Sequence, residues 1–102
     1  MLLYERQAQI CKAFANPVRL QLLDVVSNGE LPCAEIQERL GISKPNLSQH
    51  LAILKAVGIL NFRRQGKQIF CSLALPEVKQ ACQLVRKVLL AQSKNSSRFL
   101  DV

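Results

Sequence analysis

Leu31–Gly58, LPCAEIQERLGISKPNLSQHLAILKAVG, is the stretch on which the fold turns. Leu31, Ile36 and Leu40 space an apolar stripe along a first short helix. Gly41 follows the stripe and suits the left-handed position that ends a helix. Ser43 then caps a second helix, with Pro45 in its first turn, where a missing N–H costs little. In that helix Leu47, Leu51 and Leu54 recur at i, i+4 and i+7 and face a core. Lys44, Pro45, Asn46, Gln49 and Ala52 are left on the outer face, with Ser48 and His50 on its flanks. Two helices across a tight turn, the second with such a face, make a helix-turn-helix. Short polar groups, small residues and one cation suit the major groove of DNA. Asn and Gln can pair with adenine through two hydrogen bonds, and Ser can bond a phosphate or a base edge. A solvated helix beside an ordinary turn is the plainer alternative.

The surrounding composition favours the first reading. With 102 residues the chain is expected to form one domain, and 49% apolar residues argue for a folded globule. No apolar run reaches the ~18–20 residues of a membrane span. The opening MLLYERQ lacks the basic start, apolar core and cleavage site of a signal peptide, so a cytoplasmic location is expected. The net charge is +7 and points to a polyanionic partner. Its distribution says more. From Arg39 to Pro76 the bases are Arg39, Lys44, Lys55, Arg63, Arg64 and Lys67, and no Asp or Glu occurs. Attraction to a membrane surface is the rival, but no basic amphipathic helix with aromatic anchors is visible.

On either side of the central stretch the pattern continues as short elements. Leu3 to Ala15 reads as a helix with Leu3, Ile10, Cys11 and Phe14 on one face. Asn16-Pro17 breaks it and starts a second helix, which runs to about Ser27 and carries Leu20, Leu22, Leu23, Val25 and Val26. Asn28-Gly29 ends that helix, and Glu30-Leu31 can form a very short strand. After Gly58, Leu60–Arg64 and Ile69–Leu73 read as two strands joined through Gln65-Gly66-Lys67-Gln68. A hairpin directly after a reading helix is a wing, and its Arg63, Arg64 and Lys67 would lie against phosphates or in the minor groove. The last helix is expected from Pro76 to about Ala91, with Val78, Ala81, Cys82, Val85, Val88 and Leu89 close to a heptad seam. Such a seam needs a partner, either the first helix of this chain or that of a second chain. Ser93–Val102 is polar and expected to fray. The fold class is therefore mainly α with a small β-hairpin, a winged helix-turn-helix.

In this order the segments resemble the arsenic-repressor (ArsR/SmtB) family of winged-helix repressors. The resemblance covers roughly residues 10–90. It rests on AFANPVRLQLL, on ELPCAEI followed by LGISKPNLSQHLAILKAVGIL, and on the wing RRQGKQIFCSL. It implies a homodimer paired through first and last helices, which binds a near-palindromic operator and leaves it when an inducer binds. It also implies that DNA is contacted by Ser43, Lys44, Asn46, Ser48, Gln49 and His50, with the wing cations in support. The dimer contact would then join Leu3, Ile10 and Phe14 to Val78, Val85 and Leu89. No Ser-His-Asp set, paired carboxylates or phosphate-binding glycine loop points to an enzyme, and no cofactor is implied.

The sensor sites of that family are matched less well. Arsenic-sensing members carry Cys-Val-Cys at the start of the third helix, where this chain has Pro32-Cys33-Ala34. Zinc-sensing members use Asp and His on the last helix, which has neither here, and the only histidine is His50. Metal ligation is therefore undetermined, and sulfur chemistry remains. None of Cys11, Cys33, Cys71 and Cys82 is spaced as Cys-x-x-Cys, so each is by default a reduced, small buried hydrophobe. Cys71 alternates with Ile69 and Leu73 as strand core. Cys33 follows Pro32 at a helix N-terminus, where the dipole is expected to lower a thiol's pKa. Cys11 and Cys82 fall on the stripes of the first and last helices. Trivalent arsenic or antimony, or an oxidant or sulfur species, could join two thiols there.

Overall fold

The computed structural model describes residues 1–95, with side-chain surroundings through residue 92. Five helices and three short strands follow one another as α1 (Leu2–Phe14), α2 (Pro17–Val25), β1 (Leu31–Pro32), α3 (Cys33–Leu40), α4 (Lys44–Ala56), β2 (Leu60–Gln65), β3 (Gln68–Leu73) and α5 (Pro76–Asn95). Each boundary has a local cause. The Asn16 side chain accepts from the backbone N–H of Arg19 at 3.1 Å and opens α2, with Pro17 in the first turn. Gly41 sits at φ 65° and ends α3, donating to the carbonyls of Gln37 and Glu38. Ser43 accepts from the N–H of Asn46 at 3.3 Å and opens α4. A helix, a left-handed glycine and a new cap within four residues make the tight turn.

The strands form one antiparallel sheet in the order β1-β3-β2. Leu31 belongs to β1, opposite Cys71, and not to the α3 stripe. A helix that starts at Cys33 leaves it paired to the sheet. The β2–β3 register runs from Leu60↔Leu73 to Gln65↔Gln68, leaving Gly66-Lys67 as a two-residue connection. Gly66 has φ 62°, and a positive φ at the first turn position matches the twist of the flanking strands.

One core unites these elements. Ala13, Leu22, Leu23, Val26, Ile36, Leu47, Leu54, Ile59, Leu60, Cys71 and Val78 are buried together. α2 packs against α3, α4 and α5, which makes it the central helix the sequence indicated. Leu20 is an exception and points outward beside the buried Leu22 and Leu23. Ile69 is also exposed, because the hairpin has by then run beyond the core.

The last helix departs from expectation. It continues four residues past Ala91, to Asn95, so the start of the polar segment at Ser93 is helical. The rest of the expected frayed tail lies outside the described residues. Val78 is only 8% exposed and belongs to the chain's own core, not to a free seam. Val85 and Val88 are 66% and 58% exposed, and Leu3 on α1 is 71% exposed. Leu84, Leu89 and Leu90 add to this open apolar surface.

Candidate nucleic-acid interface

Burying Leu47 and Leu54 rolls α4 so that Lys44, Asn46, Ser48, Gln49 and Ala52 are exposed. Pro45 lies among them. Ser43 and Asn46 share the N-terminal cap of α4. Ser43 Oγ and the Asn46 backbone N–H close the cap, which leaves the Asn46 side-chain amide facing outward. His50 differs from its neighbours. It is half-buried, and its Nδ1 lies 3.3 Å from Arg19 Nη1 on α2.

A groove of about 540 Å³ separates α4 from the hairpin. Lys44, Ser48 and Ala52 line it from the helix, and Lys67, Gln68 and Ile69 from the wing. Lys55 also lines it, a base of the acid-free block that the sequence pattern does not assign to the site. Its spacing carries the signal: 44, 48, 52 and 55 share one helical face. The Lys55 ammonium also stands 5.5 Å from the centre of the Phe62 ring.

The six bases of the acid-free stretch do not remain equivalent in space. Arg39 pairs with Glu35 one turn back at 2.8 Å. Arg63 meets Glu30 at 2.7 Å, from the loop before β1. Arg63 also donates to Gln65 and lies over the Phe70 ring at 4.6 Å. Among the described residues Lys44, Lys55, Arg64 and Lys67 have no acid within ion-pairing distance. These four carry the positive potential beside α4. The Glu30 carboxyl is held below its usual range by the hydrogen bond from Arg63, against the opposing effect of burial. The pair is therefore formed at neutral pH and is lost as pH falls through that lowered value.

The cysteines separate into different places. Cys11 and Cys82 line one groove of about 520 Å³ between α1, α2 and α5, with Phe14, Leu23, Val85 and Leu89. Asp24 and Arg86, 3.6 Å apart, stand in the same lining. Cys11 is exposed and Cys82 half-buried. Cys33 lines the other groove, beside the reading helix, and is not brought to them within one chain. The expectation that the helix N-terminus lowers the Cys33 pKa is not met. Half-burial against the core pushes this thiol up, because it removes the thiolate from water. Burial raises Cys82 as well, and pushes Cys71 up to about 12. Cys71 is fully buried strand core, as its alternation indicated. Among the described residues no three His, Cys, Asp or Glu side chains are grouped to hold a metal ion, and no helix is long and apolar enough to cross a membrane.

A polar reading helix beside a basic hairpin, both fixed to one helical core, defines a winged helix-turn-helix protein. Residues 14–61 match the family described as Helix-turn-helix domain. The chain is 35% identical over 89 residues to the Biofilm growth-associated repressor of Xylella fastidiosa, spanning 87% of this chain and 78% of that protein. It is 38% identical over 79 residues to the Transcriptional activator HlyU of Vibrio cholerae, spanning 78% and 73%. Its fold is similar to the homodimeric winged helix-turn-helix DNA-binding domain of Mb0332 from Mycobacterium bovis, described as a possible ArsR-family regulator. The TM-score is 0.85 at 29% identity, over 93% of this chain and 88% of that one. The chain belongs to the ArsR family of winged helix-turn-helix transcriptional regulators.

Replacing Glu30 by Gln should free Arg63 to reach a phosphate. Duplex binding at low salt should then tighten, and the slope of log affinity against log salt should steepen by about one. A filter-binding salt titration reads both, and an unchanged slope would mean that Arg63 does not face the duplex.

Proposed function

We propose that this chain is a homodimeric, sequence-specific DNA-binding repressor of the cytoplasm, released from its operator by a thiol-reactive inducer. The carrying observation is the outward face of α4, where Asn46, Ser48 and Gln49 are exposed beside Lys44, Lys55 and Lys67, which have no acid partner among the described residues. Polar groups at the centre serve base edges, and cations at the border serve phosphates. Repression is preferred to activation because it requires only that the operator be occupied.

Two-fold assembly follows from the open face of α1 and α5. Leu3, Ile10, Val85 and Leu89 are exposed in the single chain, and a patch of such side chains on adjacent helices marks an association surface. The Mycobacterium bovis domain of similar fold is homodimeric. Two reading helices about one helical turn apart, ~34 Å, would then read a near-palindromic operator.

The inducer reading rests on Cys11 and Cys82 sharing a groove beside that face. Oxidation to a disulfide gives two electrons and two protons to the oxidant, and a persulfide or disulfide can accept them. Trivalent arsenic or antimony would instead take thiolates as ligands, with a third contributed from elsewhere, including a second chain. A second reading has all four cysteines as structural and the chain as a repressor or protein-interaction module without sensing. The burial of Cys71 and the raised Cys33 and Cys82 thiols favour it.

Gel shifts with DNA upstream of the chain's own gene test the function. Gln49→Ala or Asn46→Ala should relax preference at one base pair per half-site, costing ~1–3 kcal/mol. Lys67→Ala should weaken every duplex alike and flatten the salt slope. The absence of any specific shift at moderate salt sinks the repressor reading.

Sedimentation tests assembly. The wild type should run as a dimer at micromolar concentration. Val85→Asp, which places an unpaired charge in the contact, should run as a monomer. A monomeric wild type removes the dimer.

Operator release tests the inducer. Titration with arsenite, zinc and a polysulfide should release the wild type with a sulfur or arsenic species, and Cys11→Ser and Cys82→Ser should respond less. Variants that release like the wild type make these cysteines structural.

A further inference from the structure

His50 and Arg19 are separated by 31 residues in the chain and meet at 3.3 Å, Nδ1 to Nη1. Arg19 is held at its other end as well. Its Nε donates to the Ala13 carbonyl at 2.6 Å and its Nη2 to the Lys12 carbonyl at 3.4 Å, both in the last turn of α1. A guanidinium has five N–H donors and no acceptor, and it keeps its charge throughout the range in which proteins fold. The ring atom facing it must therefore accept. An imidazole nitrogen accepts only without a proton, so the neutral ring carries its proton on Nε2.

That second nitrogen is available. Nε2 has no hydrogen-bond partner among the described residues, yet no buried side-chain nitrogen or oxygen there lacks one. Nε2 is therefore open to solvent. It lies on the helix that carries Asn46, one turn earlier on the same side, and Gln49.

We propose that Arg19 is a positioning residue of the DNA interface: it fixes His50 as the Nε2–H tautomer, so that α4 presents a hydrogen-bond donor to a phosphate oxygen at that flank. Phosphate is chosen over a base because His50 is half-buried at the border of the outer face. Side chains at the border of a reading helix meet the strand rather than the groove floor. The phosphate role rests on the DNA-reading assignment of α4, and the tautomer does not.

The chain has a single histidine, so a long-range ¹H–¹⁵N spectrum of imidazole nitrogens reports His50 alone. Recorded on the unbound protein with the ring neutral, it is expected to show a bare Nδ1 and a protonated Nε2. Protonation at Nδ1, or an even mixture, overturns the assignment. Arg19→Met keeps an unbranched stem and removes the donors. It should move the spectrum toward a mixture and weaken operator binding about twofold, in proportion to the rings lost from the donating tautomer. His50→Gln, whose amide still donates, should keep most of the affinity. His50→Ala should lose about tenfold on every operator variant alike, since phosphates carry no sequence information. A loss confined to one base pair overturns the phosphate role. Arg19→Met added to His50→Ala should cost no more than His50→Ala alone, and additive losses overturn the coupling. Should Arg19→Met fail to fold, the wild-type spectrum and the two His50 variants decide the question. A wild type with the expected tautomer that binds no duplex leaves the tautomer standing and removes the DNA role with the reading beneath it.

Discussion

Burial of Leu47 and Leu54 in the shared core holds α4 by one side. They are seven residues apart, close to two helical turns, so together they set both the roll and the tilt of the helix. Each buried leucine contributes about 1.5–3 kcal/mol. Leu51 and Val57 pack against the same core from this side. Leu22, Leu23 and Val26 from α2 and Ile36 from α3 occupy the same core, so the turn at Gly41 joins two helices that are anchored independently. The outward array of Asn46, Ser48 and Gln49 is a consequence of that packing.

The wing is held by its pairing to β1 and by Leu60 and Cys71 in the core, with one side-chain tie added at its outer side. Arg63 ties β2 to Glu30 and covers Phe70, which fixes the outer side of the hairpin to the loop before β1. The same contact engages one cation of the basic block and leaves Arg64 and Lys67 on the hairpin without an acid partner among the described residues. A block of bases that looks uniform in sequence thus divides into struts and contacts. Arg39, paired with Glu35, is a strut of the first kind as well. Exposed pairs such as these contribute little to stability, and their effect is on placement.

On the opposite side, α1 and α5 leave Leu3, Leu84, Val85 and Val88 exposed, an arrangement costly in water unless something covers it. The groove with Cys11 and Cys82 opens beside this face, and Arg19 ties the last turn of α1 to the flank of α4. Open apolar face, thiol groove and reading helix are therefore joined by a short chain of contacts through α2.

Much of this was legible in the sequence because it depends on near neighbours. Caps at Asn16 and Ser43, the glycine at 41, the leucine spacing in α4 and the turn at Gly66 each act within one or two turns of chain. They determined the helix-turn-helix, the hairpin and the polar face of the reading helix. Pairings between distant segments were not legible. Nothing near Arg63 announces Glu30, and nothing near His50 announces Arg19. Local pattern also cannot tell a seam residue buried by its own chain from one left open, so Val78 and Val85 looked alike until packing separated them. The Cys33 thiol went against its local signal for the same reason. The helix N-terminus is written in the chain, whereas the burial that raises this thiol is produced only when α3 closes on the core. Sequence by itself determined which surfaces exist; tertiary structure decided which charges, thiols and apolar side chains remain on them, because burial and ion pairing depend on segments that meet only when the chain folds.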